Sequence, residues 1–193
     1  MSLEYAIEKF PIQVTLRDGT RTVVRPMNRR DEARCYRFFT SVPELERLFI
    51  KQPIRDRSLL HEWCRHLDYE RNLPLLMLHG SKVIGEVTLH QRLGGWKRHV
   101  GLLTFLTHPD YRGRDVAKAL VEEAVQIARH LGLKKVEAEL NGERKVAIKA
   151  LEQLGFRQLM RLPDYVWDME GEAHDYVFMG MDLLTEEEFA SVG

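Results

Sequence analysis

Residues 102–120 read LLTFLTHPDYRGRDVAKAL, and this stretch decides the fold. An apolar strand runs into the Pro109-Asp110 turn, then an Arg112-Gly113-Arg114 loop, then a helix that begins near Asp115. Val116, Leu120, Val121, Ala124, Ile127, Ala128 and Leu131 recur at helical spacing on the buried side, and Gly132 ends the helix. The first-turn N–H groups of a helix have no partner within it, and with its dipole they form an anion site. Gly113 and Ala117 are small enough to let a phosphate approach that backbone, and Arg112 and Arg114 supply charge beside it. The segment therefore reads as a phosphate or pyrophosphate cradle, against the plainer reading of an ordinary strand-to-helix turn. Asp115 is a strong helix N-cap type, so its carboxylate is expected either to take the first-turn donors or to turn outward and leave them to a ligand.

Upstream, residues 12–26 (IQVTLRDGTRTVVRP) alternate around Asp18-Gly19, which predicts a hairpin with a two-residue turn. Asn28 and Asp31 form a capping-box pattern that opens a helix through about Ser41, with Ala33, Tyr36 and Phe39 facing in. Pro43 and Pro53 mark a loop, and a second amphipathic helix carries Leu59, Leu60, Trp63, Cys64 and Leu67 on one face. LLMLH and KVIGEVTLHQR read as strands joined at Gly80-Ser81, and Leu93-Gly94-Gly95 turns the chain into a strand over His99–Thr107. Downstream come the strand KKVEAEL, a helix over Glu143–Leu154 capped by Gly155, and strands over Phe156–Asp164 and His174–Leu183 with a turn near Gly171. A strand–helix–strand–helix–strand run behind an antiparallel meander predicts an α/β chain with a mixed sheet and helices on both faces. No repeat or linker divides it, so residues 1–193 read as a single domain with its core over about 12–183.

Composition narrows the function classes. Lys plus Arg and Asp plus Glu each total 29, which argues against a general nucleic-acid binder. The longest apolar runs, Leu73–Leu78 and Val100–Leu106, are too short to span a bilayer, and the first residues carry no signal-peptide pattern. Cys35 and Cys64 sit in helical patterns outside any Cys-x-x-Cys pair, which reads as two buried thiols in a reducing cytoplasm. The histidines show no metal-ligand spacing, so no metal is expected.

HPDYRGRDVAKALV resembles the acyl-CoA-binding motif of the GNAT N-acyltransferase superfamily, Arg/Gln-x-x-Gly-x-Gly/Ala after a strand and a Pro-containing turn. AIKALEQLGF resembles the family's Ala-Ile-x-x-Tyr-x-x-x-Gly-Phe helix end, and TLRDGTRTVVRPMNRRDE is similar to the start of the GNAT domain in bacterial protein-lysine acetyltransferases. The resemblance implies a mostly antiparallel seven-stranded sheet, split between two central parallel strands that end near Thr107 and Leu140. It implies that the backbone of Phe105, Leu106 and Thr107 pairs with the pantetheine amides of acetyl-CoA, the co-substrate. The N–H groups of Gly113, Arg114, Asp115, Val116 and Ala117 would hold its pyrophosphate. An amine acceptor, small molecule or protein, would enter from the side of the first two helices and the last hairpin. Dimers are common in the superfamily, so a homodimer is among the expected assemblies.

Three positions depart from that pattern. The central glycine of the cradle is Asp115; the asparagine three residues before Ala147 is Arg144, which either meets the cofactor phosphates or sits in solvent; and the tyrosine that often serves as general acid is Leu151. Asn141, at the end of the preceding strand, is the expected substitute for the missing asparagine. A base glutamate of the family falls at Gly101. Amine acylation needs a base, and pairing His90 with His99 across the Leu93–Lys97 turn would bring Glu86, Thr88, His90, His99 and Gly101 to one face. Glu86 is the first choice and His99 the second, against the plain reading of a solvent-facing polar row. Tyr36, Phe38, Phe39, Phe49 and Trp63, with Tyr165, Trp167 and Tyr176, are either acceptor-pocket residues or core. The expected function is acetyl transfer from acetyl-CoA to a primary amine by direct attack, in the cytoplasm and without a metal. The alternative is a catalytically silent GNAT module that binds acyl-CoA as a sensor or protein partner.

Overall fold

Strands form where apolar residues alternate or run between turn residues, and in the computed structural model, which describes residues 3–47, 56–168 and 170–183, they build one sheet. The strands are β1 (Ile12–Thr15), β2 (Arg21–Pro26), β3 (Asn72–His79), β4 (Lys82–His90), β5 (Val100–Thr107), β6 (Lys135–Asn141), β7 (Arg157–Trp167) and β8 (Ala173–Asp182). They lie in the order β1-β2-β3-β4-β5-β6-β8-β7, all antiparallel except β5 beside β6. The sheet has eight strands where the resemblance implies seven, because residues 12–26 contribute two strands to its edge. The hairpin turn also differs from expectation. Leu16 N–H donates to the Thr20 carbonyl at 2.9 Å and Gly19 takes φ +84°, so the turn spans Arg17, Asp18 and Gly19.

Helices α1 (Leu3–Glu8), α2 (Glu32–Ser41), α3 (Glu44–Arg47), α4 (Arg57–Arg65), α5 (Val116–His130) and α6 (Lys145–Gln153) cover both faces. The capping box forms as predicted: Asn28 Oδ1 accepts from Arg30 N and the Asp31 carboxylate accepts from Asn28 N, each at 2.9 Å. Helix α1, which the sequence did not reveal, lies on α5 with Tyr5 stacked 5.1 Å from the His130 ring. Two cores result. On one face α5 packs its Val116–Leu120–Ala124–Ile127 stripe on Leu75, Met77, Val87, Leu89 and Leu103. On the other, α2 and α4 bury Phe38, Phe39, Leu60, Cys35 and Cys64 against Leu76, Leu78 and Leu106. Both cysteines are free thiols inside this second core. Among the described residues no helix is long and apolar enough to cross a membrane.

The register between β4 and β5 corrects the expected one. Glu86 stands opposite Leu106 rather than Leu103, and Thr88 opposite Thr104. Residues 91–99 fold into consecutive turns, with Arg98 N–H on the Gly95 carbonyl and Val100 N–H on the Lys97 carbonyl, and this takes up the extra chain. The displacement of three residues is odd, so it exchanges the faces. Glu86, Thr88 and His90 share their face with Leu102, Thr104 and Leu106, whereas His99 and Gly101 do not join them.

Candidate active site

Strands β5 and β6 pair from Val100↔Lys135 to Leu103↔Ala138 and then part, although β5 runs on to Thr107 and β6 to Asn141. The split leads into a cleft of about 380 Å³ lined by Phe105, Thr107, Arg112, Gly113, Asp115, Val116, Ala117 and Arg144 among others. At its head, Ala119 N–H makes the first α5 hydrogen bond, to the Asp115 carbonyl at 3.0 Å. The N–H groups of Val116, Ala117 and Lys118 precede that bond and remain for an anion. Gly85, on the strand behind, makes the position of this first turn possible. A Cβ there would stand 2.5 Å from Val116 Cγ1 and 2.8 Å from Leu120 Cδ1.

Of the eleven cofactor residues expected from sequence, Leu106, Arg114 and Asn141 are not on the cleft wall. Leu106 belongs to the second core, because alternation along β5 turns it away from Phe105 and Thr107. Arg114 reaches back to the β1–β2 turn, where Nη1 lies 2.9 Å from Asp18, and its guanidinium covers the Tyr111 ring at 5.0 Å. Arg112 stays at the cleft in an ion pair with Glu46 of α3. The cations that sequence reading missed are Lys118 and Lys145, which also line the cleft. Asn141 is fully buried; its Oδ1 accepts from Glu143 N at 2.8 Å, and its Nδ2 has no partner among the described residues.

Asp115 takes the N-cap position without capping. It adopts φ +66° and ψ 20°, and its side chain accepts no hydrogen bond from the first turn. The donors therefore stay available, and the residue sits in left-handed backbone that glycine tolerates better. Asp115→Gly is expected to stabilise the fold by about 1 kcal/mol in urea unfolding and to leave acetyl-CoA affinity unchanged or higher. A clear loss of affinity on calorimetric titration would show that the carboxylate helps to hold the ligand.

Arg144 is neither in solvent nor aimed at the cradle. Nη2 donates to the Phe105 carbonyl at 3.4 Å and the guanidinium lies 5.2 Å from the Phe105 ring centroid, so the side chain bridges the two walls of the split. Leu151 is 1% exposed and packs in the first core, so α6 offers no phenol at this position. At Gly101, where the resemblance implies a glutamate, a Cβ would have to displace Leu89 Cδ1 at 2.7 Å and Leu133 Cδ1 at 3.0 Å, on the α5 side of the sheet.

On the α2/α4 face, the structure keeps Glu86 in a polar row and removes His99, which is exposed beside Lys134 and offers only its carbonyl to the Lys134 and Lys135 N–H groups. Glu86 is 2% exposed, flanked by Leu76 and Leu106, and its Oε1 accepts from the Thr88 hydroxyl. Burial pushes its carboxyl up to about 8, and the Thr88 hydrogen bond offsets only part of that rise. His90 stands directly opposite Asn72; Nδ1 lies 2.7 Å from Asn72 Oδ1 and Nε2 2.9 Å from Thr104 Oγ1. Across the split, Glu139 and Tyr176 face the same side. Burial, then the Glu139 charge and hydrogen bond, push the Tyr176 phenol up to about 12. Glu139, Thr104 and Asn72 were missed from sequence because only the register places the first two beside the split and Asn72 opposite His90.

The aromatic candidates divide. Phe38 and Phe39 are core, Tyr36 and Trp63 pack at its margin, and Tyr165 and Trp167 are exposed on the last hairpin with Tyr176 half-buried. Phe49, Pro53 and the charged stretch 185–189 lie outside the described residues. His108 is a turn residue, its Nδ1 accepting from Asp110 N at 3.2 Å. Among the described residues no group of three or more His, Cys, Asp or Glu side chains is placed to hold a metal ion.

The chain is similar to known proteins along most of this architecture. It is 32% identical over 114 residues to acetyltransferase SG1711 of Sodalis glossinidius, covering 58% of this chain and 74% of that protein. Its fold matches the GNAT domain of S. lividans PAT with a TM-score of 0.72 at 24% identity, over 90% of this chain and 97% of that one. It also matches yncA from Salmonella typhimurium, solved with its cofactor acetyl-CoA, with a TM-score of 0.69 at 16% identity, over 84% and 94% of the two chains. The model of the acetyltransferase (GNAT) family matches residues 33–156, the span that holds the parted strands, the cradle and the α2/α4 face, and the chain belongs to that family.

Proposed function

We propose that this chain moves an acetyl group from acetyl-CoA to a primary amine by direct attack within a ternary complex. The observation that carries the reading is the open edge of β5 and β6 running into the unpaired first turn of α5. An extended pantetheine fits that edge as an added strand, through the backbone of Phe105 and Thr107. The α5 donors, with Arg112, Lys118 and Lys145, suit a pyrophosphate. The backbone N–H groups on the β5 edge suit the oxyanion of the tetrahedral intermediate. Neither Cys35 nor Cys64 reaches the cleft, which favours direct attack over a covalent acyl-enzyme.

The amine comes from the α2/α4 side and must lose a proton there, because only the neutral nitrogen attacks. The face offers Glu86, the carboxyl chosen from sequence, and the imidazole of His90. The acceptor is a protein lysine, a protein N-terminus or a small amine.

Thermal unfolding with and without acetyl-CoA tests the first half of this reading. At about 100 times its dissociation constant the ligand should add about 2.7 kcal/mol, which raises the midpoint by roughly 5–10 °C for a domain of this size. No shift at millimolar ligand would sink it. Thiol release with spermidine, a blocked lysine peptide and an alanine-led peptide tests the second half. A thermal shift without turnover of any amine would select the acyl-CoA sensor, a reading that the buried Leu151 favours.

A further inference from the structure

We infer that Asn72, His90 and Thr104 form the relay that takes the proton from the acceptor amine, an inference that rests on the acyl-transfer reading above. The carbonyl oxygen of an amide side chain only accepts, so His90 Nδ1, 2.7 Å from Asn72 Oδ1, carries the ring proton. In the neutral ring Nε2 is then bare, and the Thr104 hydroxyl donates to it across 2.9 Å. The chain hydroxyl–imidazole–fixed acceptor is the arrangement by which a triad raises the basicity of an oxygen.

Its place in the fold gives it a task. Leu103↔Ala138 is the last pair between β5 and β6, so Thr104 is the first β5 residue beyond the point where the strands part. Alternation directs Thr104 to the α2/α4 face, the same face as His90, and away from the α5 core. On β6 the facing position is Glu139, whose carboxylate accepts from Tyr176 and attracts an alkylammonium. Glu86 is worse placed. It stands two pleats further along β4, between Leu76 and Leu106, and with its carboxyl near 8 only about one molecule in ten holds it ionised at pH 7.

The step balances. The amine nitrogen forms the new bond to the acetyl carbon, and the carbon–sulfur bond breaks with its electron pair left on the thiolate. The nitrogen proton passes to Thr104 Oγ1 while the hydroxyl proton of Thr104 passes to His90 Nε2, and Asn72 Oδ1 steadies the imidazolium through Nδ1–H. Solvent returns one proton to sulfur and takes one from His90.

The test uses the full chain, acetyl-CoA and the three amines named above. His90→Ala and Thr104→Val should each lower kcat about a hundredfold or more, with acetyl-CoA affinity and the unfolding midpoint unchanged, while Thr104→Ser keeps most of the rate. A network that merely ties β3, β4 and β5 together would move the midpoint and spare kcat. Rates within about threefold of the wild type for both His90→Ala and Thr104→Val overturn the relay while leaving acyl transfer in place. Nitrogen-15 spectra of the imidazole in the free protein provide a second measurement that needs no turnover. They should show a neutral ring protonated at Nδ1, and a ring protonated at Nε2 overturns the relay. A wild type that shows no thermal shift with acetyl-CoA removes the acyl-transfer reading and the relay together.

Discussion

Glu86→Gln is expected to stabilise the protein by roughly 3 kcal/mol at pH 7 and to abolish much of the loss of stability that the wild type shows as pH rises. The Glu86 carboxyl is raised to about 8 from an ordinary value of 4.5, because burial beside Leu76 and Leu106 disfavours its charge. Between those values the unfolded chain releases the proton and the folded chain keeps it, so stability falls with rising pH at about 1.4 kcal/mol per unit. The penalty begins above about 4.5 and is complete above about 8. Glutamine has the shape of the protonated acid and never ionises. Urea unfolding of both proteins from pH 4 to pH 9 measures the difference; parallel curves would show that Glu86 is ionised in the fold. The substitution also separates the two candidate bases. The relay predicts a kcat within about threefold of the wild type at pH 7, whereas a base at Glu86 predicts its collapse.

Asp31→Ala should cost about 3–5 kcal/mol, because it removes one partner of a buried ion pair. Asp31 is fully buried and takes Arg25 Nη1 at 2.6 Å and Nη2 at 2.7 Å, Arg34 Nη1 at 3.2 Å, and the Asn28 N–H that closes the capping box. Burial alone would raise its carboxyl, but the Arg25 and Asn28 hydrogen bonds outweigh it and hold the pKa below the ordinary value of 3.8. Its stabilisation is therefore present at neutral pH and is lost as pH falls through that lowered value. Alanine removes the carboxylate that Arg25 and Arg34 share and opens the capping box of the 3-10 turn, Arg29–Asp31, that leads into α2. Asp31→Asn should cost less, because it keeps one acceptor for the cap. A loss under 1 kcal/mol in urea at pH 7 would show that water replaces the carboxylate at little cost.

Much of the molecule is legible in its sequence because local chemistry sets it. The capping box at Asn28 and Asp31, the turn at Gly80-Ser81, the stripe of α5 and its stop at Gly132 each depend on residues a few positions apart. The cradle is legible for the same reason. What depended on register was not. Nothing in residues 91–99 shows that the chain makes consecutive turns there, and that displacement decides that Thr104 rather than His99 meets His90. Tertiary pairing likewise claimed Arg114 for Asp18 and Arg144 for the Phe105 carbonyl, although both residues sit in the motif region. Local pattern brings the Arg112–Arg114 loop to the first turn of α5, and long-range pairing selects which side chains stand beside the parted strands.

The bare Cα of Gly85 behind α5 bears on how genetic variation in this protein will be read. Residue 85 does not itself line the cleft, yet any side chain there displaces Val116 and Leu120 behind the first turn of α5. In a saturation library, changes at this position will group with those of the cradle rather than with those of its own strand. A map of tolerated substitutions will thus draw the ligand site one layer deeper than the surface that a ligand can touch.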